Sequence, residues 1–166
     1  PPPPPPRHST RRQRQMCIRD RRERDAKTEP GHEDVRLRGR TYAIPFDTVW
    51  RAALSLGDSG IRGWSTVRTN DQQGVLELLV QPGIGPHSKH VDVRVDIGLD
   101  QNAQTRVDMQ AVSRTQRGDM GRTKRLVHRF FTHLDQRLEA GPGTILNPAE
   151  LDAWTAVHST TSSESS

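Results

Sequence analysis

The pattern of apolar and polar residues changes period once near the end of the chain, which predicts a strand followed by a helix. From Val107 to Ser113 apolar and polar residues alternate, the period of a half-buried strand. After a polar turn, apolar positions recur at three- and four-residue spacing, which is typical of an amphipathic helix. This stripe comprises Met120, Thr123, Val127, Phe130, Leu134 and Leu138. Asp119 precedes the stripe, and we predict that its carboxylate caps the helix by accepting backbone N–H groups.

The same patterns predict four further strands and one further helix upstream. The strands are residues 41–44, 64–69, 75–81 and 91–99. The helix starts after Pro45, which suits a first helical turn, and ends at Gly57 or Gly60. Its apolar face comprises Phe46, Val49, Trp50 and Ala53. Gly74 closes the turn between two of the strands, where a positive φ is expected.

The resulting order, β-α-β-β-β-β-α, contains no parallel crossover and predicts an α+β fold. We expect a two-layer structure, in which an antiparallel sheet of about five strands carries two helices on one face. The opposite sheet face would carry alternating charges, which favours a ladder of salt bridges over acid catalysis. Its members are Asp92, Arg94, Asp96, Arg106, Asp108 and Gln110.

Charge is distributed unevenly along the chain, and this distribution indicates where the folded domain begins. The net charge of +5 belongs to residues 1–40, which hold twelve basic and six acidic residues, whereas residues 41–166 hold thirteen and fourteen. We therefore predict a disordered basic tail over 1–37, one domain over 38–140, and a 141–166 extension with a short helix and a Ser/Thr tail. Residues 15–21 resemble translated sequencing-adapter read-through, so we expect the natural N-terminus to be missing; the alternative is a basic arm that binds nucleic acid or acidic lipid.

Composition excludes several classes of protein. Cys17 is the only cysteine, which excludes an intrachain disulfide framework and a cysteine-rich metal site. No apolar run approaches the ~18 residues of a membrane span. His87 and His90 share a loop but lack enough neighbouring ligands for a metal, and His128 and His133 are expected at the surface. No nucleophile–base motif or phosphate-binding loop is present, so we predict no enzyme, no cofactor and no metal.

One motif resembles a known family. Ser113-Arg114, Gly118-Asp119-Met120-Gly121 and Arg125, after a Val-Asp-Val-Arg-Val strand, resemble the bacterial and plastid family called domain of unknown function fourteen-ninety-nine. The similarity covers roughly residues 38–140, and that family has no established activity. The helix-then-strands pattern is also similar to helix-grip modules, including those of an outer-membrane assembly lipoprotein. This second resemblance implies a scaffold or binding role, with the bacterial envelope as one location.

The motif also gathers the candidate site residues around the start of the last helix. Guanidinium groups and unpaired helical N–H groups together can bind phosphate or carboxylate. The structural alternative is that Arg114 or Arg125 pairs with Asp119 and locks the strand to the helix. The cluster comprises Ser113, Arg114, Arg117, Asp119, Arg122 and Arg125.

These observations favour a non-catalytic interaction or scaffold domain with a protein partner. The first alternative is a carrier of a small apolar ligand or lipid, which would need a cavity between helix and sheet. The second is an anion-binding module at the last helix. Since the basic charge lies in the tail, we expect no binding of nucleic acid by the domain.

Overall fold

The computed structural model describes residues 25–81, 89–114 and 121–146, and these form one sheet with two helices. The strands are β1 (Asp25–Lys27), β2 (Arg40–Tyr42), β3 (Trp64–Asn70), β4 (Val75–Val80), β5 (Val91–Leu99), β6 (Thr105–Ser113) and β7 (Ile145–Leu146). The helices are α1 (Phe46–Ser55) and α2 (Arg122–Arg137). A short 3-10 helix spans Val35–Leu37, and a wider helical turn, Leu56–Gly60, continues from α1.

The sheet confirms the predicted α+β class. Its order is β3-β4-β5-β6-β2-β7, with β1 also paired to β6, and all the named strand pairs are antiparallel. Strand β5 begins and ends where the alternation predicts, and β6 ends at the predicted residue but begins at Thr105, two residues before the predicted alternation. The sheet has seven strands rather than about five, because β1 and β7 are short edge strands without a periodic pattern of their own.

The core lies between the two helices and one face of the sheet. Alternate residues of β4, β5 and β6 are buried on this face, as expected for a sheet with one wet side. Val49, Trp50 and Ala53 of α1 are buried, as predicted, and Phe46 stacks on Trp50. Phe130 and Phe131 of α2 are 0% and 2% exposed, so they fill the space against the sheet.

The turn at Gly74 is also confirmed. Gly74 has a φ of 64°, which side chains with a Cβ rarely adopt. A Cβ there would overlap the carbonyl oxygen of Ile97. The N–H of Ile97 donates to the carbonyl oxygen of Gly74, and this hydrogen bond holds the two backbones close together. Both the backbone conformation and the close approach of β5 therefore require glycine.

Residues 25–37, which were predicted to belong to a disordered tail, form a short strand and a 3-10 helix. Strand β1 pairs with residues 110–112 of β6, and Ala26 is 3% exposed. The 3-10 helix buries Leu37 to 4%, and Asp34 caps it by accepting the N–H of Arg36. The folded part of the chain thus includes residues before 38, where Ala26 and Leu37 are isolated apolar residues without a period and are buried by contacts with the core.

The end of the last helix and the residues after it also differ from the prediction. Helix α2 ends at Arg137, and Glu139 adopts a φ of 50°, so the chain leaves the helix before Gly141. Strand β7 then pairs with β2 and joins the sheet, although the predicted domain ended at residue 140. The short helix predicted after Asn147 lies outside the described residues.

Two substitutions in the 3-10 helix test whether this segment belongs to the core. We expect Leu37→Ala to lower the free energy of unfolding by about 2–5 kcal/mol, because it removes a buried side chain and leaves a cavity. Val35→Ala, at a position that is 63% exposed, should change it by less than about 0.5 kcal/mol. Urea unfolding of both variants measures the difference; equal, small effects would show that the segment does not contribute to folding.

Candidate functional site

The open face of the sheet carries the predicted ladder of salt bridges. Arg94 contacts Asp96 at 2.9 Å, and Arg106 contacts Asp108 at 2.7 Å. The two residues of each pair lie two positions apart on the same strand, so the ion pairs run along the strands and do not connect neighbouring strands. Asp96 and Asp108 are directly opposite each other on β5 and β6, so each arginine neutralises a carboxylate that would otherwise repel its neighbour.

Arg114 extends this ladder beyond the end of β6. Its Nε and Nη2 donate to the two carboxylate oxygens of Asp92, at 2.7 Å and 2.6 Å, in a bidentate pair. The hydrogen bonds from Arg114 lower the pKa of the Asp92 carboxyl, although partial burial opposes this shift. The predicted structural alternative paired Arg114 or Arg125 with Asp119, which lies outside the described residues; within the described residues Arg114 pairs with Asp92, 22 residues away.

Three of the remaining members of the predicted cluster lie within the described residues. Ser113 is 6% exposed on the helix side of the sheet, while Arg122 and Arg125 lie exposed on α2. Arg117 and Asp119 lie outside the described residues. Helix α2 begins at Arg122 with Gly121 at the N-cap position, two residues after the predicted cap.

A groove of about 330 Å³ crosses the open face of the sheet. It runs over β3, β4, β5 and β6, and a β-bulge between Thr66 and Arg68 adds Val67 to its wall. The side chains of Val67 and Val112 are 65% and 40% exposed. The polar residues of the wall include Asp92 and Arg94 of the salt-bridge ladder. The groove is lined by Val67, Glu77, Asp92, Arg94, Gln110 and Val112, among others.

A second polar cluster, which the sequence analysis did not find, joins β2 to α2. The Tyr42 hydroxyl donates to a carboxylate oxygen of Asp135 at 2.6 Å, and Arg40 lies 3.5 Å from the other oxygen. Arg40 also lies over the ring of Phe131, 5.6 Å from its centroid. Burial and the neighbouring carboxylate raise the pKa of Tyr42, which keeps the hydroxyl protonated as a donor. This cluster therefore fixes the helix rather than supplying a base.

The chemistry available to these residues is limited. The carboxylates of Asp92, Asp96 and Asp108 are each held by an arginine. Within residues 25–81, 89–114 and 121–146, no three His, Cys, Asp or Glu side chains are grouped as metal ligands. His87 lies outside these ranges. Neither α1 nor α2 has the length and apolar character that a membrane-crossing helix needs.

Comparison with known proteins adds no relative. No protein-family model matches the sequence, and no curated protein is significantly similar to it. The resemblance to the domain-of-unknown-function family stays a prediction.

The ion pair between Arg114 and Asp92 can be tested by titrating the Asp92 carboxyl group. In Arg114→Gln we expect the pKa of Asp92 to rise toward its ordinary value of 3.8, because the charged donor is lost. Because the pKa of Asp92 is lowered in the folded state, the pair stabilises the fold at pH values above the ordinary aspartate pKa. Its contribution to the free energy of unfolding disappears as the pH falls through the lowered pKa. Carboxyl NMR titration of Asp92 measures the shift.

Arg36→Gln is the control for this titration. Arg36 holds the pKa of Asp34 at about 2, and its replacement should raise the pKa of Asp34 while that of Asp92 stays unchanged. An Asp92 pKa that does not respond to Arg114→Gln would contradict the pairing.

Proposed function

We propose that this protein is a non-catalytic domain that binds another polypeptide. The observation that carries the proposal is the aromatic packing between α2 and the sheet within the described residues. Phe130 stacks on Trp64 with ring centroids 5.7 Å apart, and Phe131 meets Phe130 edge to face at 5.8 Å. A carrier of an apolar ligand would keep a cavity of at least ~300 Å³ in that place.

The polar groups support the same proposal. The ladder engages the carboxylates that could otherwise act as an acid–base pair, and the Tyr42 hydroxyl is held by Asp135. General acid–base catalysis needs a group within reach of a substrate and with a pKa near the working pH. Paired side chains of this kind favour a stable scaffold that presents its surface.

Native mass spectrometry distinguishes a polypeptide-binding domain from a carrier. The full chain is purified gently from the cells in which it naturally occurs, and its intact mass is compared with the mass after denaturation. We expect complexes with a second polypeptide and no small molecule retained by the chain, because aromatic side chains occupy the place a ligand would need. A stoichiometric small-molecule adduct that is lost on denaturation would contradict the proposal and favour the carrier.

A further inference from the structure

Strand β3 lies at one end of the sheet, and one of its two backbone edges has no neighbouring strand. Within the described residues it pairs with β4 alone. Beyond that ladder, the backbone of Trp64–Asn70 forms one further backbone hydrogen bond to a described residue, from the N–H of Trp64 to the carbonyl oxygen of Ile61. The N–H and C=O groups that point away from β4 form a row of donors and acceptors, which we call the free edge of β3.

The free edge is long and accessible. Strand β3 has seven residues, whereas β1 and β7, which also have a single neighbouring strand in the described sheet, have three and two. The helical turn Leu56–Gly60 packs on the core face of β3, where Gly57 lies against the side chains of Thr66 and Leu78. The exposed side chains of the strand are Ser65, Val67, Arg68 and Thr69. An extended segment can therefore reach these backbone groups from solvent.

Charge along the free edge favours a partner that carries carboxylates. Arg62, which precedes β3, and Arg68 are exposed, and neither forms an ion pair with a described residue. Glu77 lies opposite Arg68 on β4 but is not ion-paired with it, and Asp71, in the turn after β3, accepts the N–H of Gln72. The strand itself holds no acidic residue. Carboxylates on an added segment would be attracted to both arginines, since opposite charges on adjacent strands stabilise their pairing.

A β-bulge in the middle of β3 bears on which chain can pair with it. Val67 is the extra residue between Thr66 and Arg68, and such a bulge bends a strand and increases its twist. Two copies of β3 would each bring a bulge and an Arg68 to the same contact, which disfavours a regular ladder between them. A separate extended segment can follow the twist of β3, because its own backbone is not fixed in a sheet.

We infer that the free edge of β3 binds an extended, acidic segment of a partner polypeptide as an additional strand. Backbone hydrogen bonds hold the segment, and its carboxylates pair with Arg62 and Arg68. Val67 also lies in the wall of the groove on the open face, so an apolar side chain of the segment can contact it there. This inference rests on the proposed function, because it names the surface and the chemistry of the polypeptide that the domain binds.

The first test measures the fluorescence anisotropy of a labelled nonapeptide, in which glutamate alternates with valine, as the full chain is added. We expect Arg62→Glu combined with Arg68→Glu to weaken binding at low salt by about tenfold or more, since attraction is replaced by repulsion at two positions. The matched control combines Arg51→Glu with Arg129→Glu, which changes the total charge equally at exposed helical positions, and it should bind within about twofold of the wild type. Circular dichroism checks that both variants fold. An equal loss in the two variants would overturn the inference, because total charge would then explain binding.

Two N-methylated forms of the peptide test the backbone contact. One form is methylated on the backbone nitrogens of the glutamates, and the other on those of the valines. Alternate residues of a strand direct their N–H groups to opposite sides, so methylation should abolish binding in one form and leave most of it in the other. Equal binding of the two forms would show that the peptide does not pair as a strand.

Hydrogen exchange measured by NMR locates the contact. We expect alternate amides of Trp64–Asn70 to gain protection when the peptide binds, whereas protection confined to Arg122–Arg137 or to residues 1–24 would overturn the inference. A dimer of the chain alone with the same amides protected would identify a second copy as the occupant and overturn the choice of a different partner. A partner polypeptide that native mass spectrometry still finds on the Arg62→Glu and Arg68→Glu double variant would leave the proposed function standing and refute this inference alone.

Discussion

The contact between Phe130 and Trp64 sets the position of α2 on the sheet, and much of the structure depends on it. The two rings stack with an angle of 20° between their planes, and Trp64 starts the edge strand β3. Phe130 thus connects the last helix to the far edge of the sheet, and Phe131 packs beside it under Arg40. Large aromatic side chains bury more apolar area than any others, so this group contributes strongly to the stability of a small core.

A polar contact fixes the other end of α2. Asp135 accepts the hydroxyl of Tyr42 within a partly buried setting, where a hydrogen bond to a charged group is worth more than one in water. With its apolar face held by Phe130 and its last turn held by Asp135, the helix presents one fixed side to solvent. The open face of the sheet is internally neutralised, because Arg94, Arg106 and Arg114 each pair with a carboxylate.

The parts of the fold that the sequence predicts are those whose residues repeat. Strand β5 matches its predicted bounds, and β6 ends at the predicted Ser113 although it begins two residues earlier than the predicted alternation. Strand β1 has three residues and Leu37 stands alone in a charged stretch, so no period could indicate them. Contacts with β6 and with α2 order β1, and such contacts are not encoded in local spacing.

Pairings between distant residues limit the prediction of a site in the same way. The ladder was predictable because Arg94 and Asp96 are two residues apart on one strand. Arg114 and Asp92 are 22 residues apart, and Tyr42 and Asp135 are 93 apart, so their contacts depend on register and on the docking of the helix. Tyr42 lies in a short strand, and Asp135 lies beside an apolar helical stripe. Neither position indicates the other in the sequence, so their hydrogen bond could be predicted only from a known topology.

Within the described residues, aromatic side chains pack the space between α2 and the sheet into a solid core. Equilibrium unfolding of Phe130→Ala tests it most directly, with Phe46→Ala, at a partly buried position on α1, as the comparison. We expect a loss of about 3–5 kcal/mol in the free energy of unfolding for Phe130→Ala, and a clearly smaller loss for Phe46→Ala. A loss below about 1 kcal/mol for Phe130→Ala would contradict it, because a side chain bordering an open cavity can be removed at little cost.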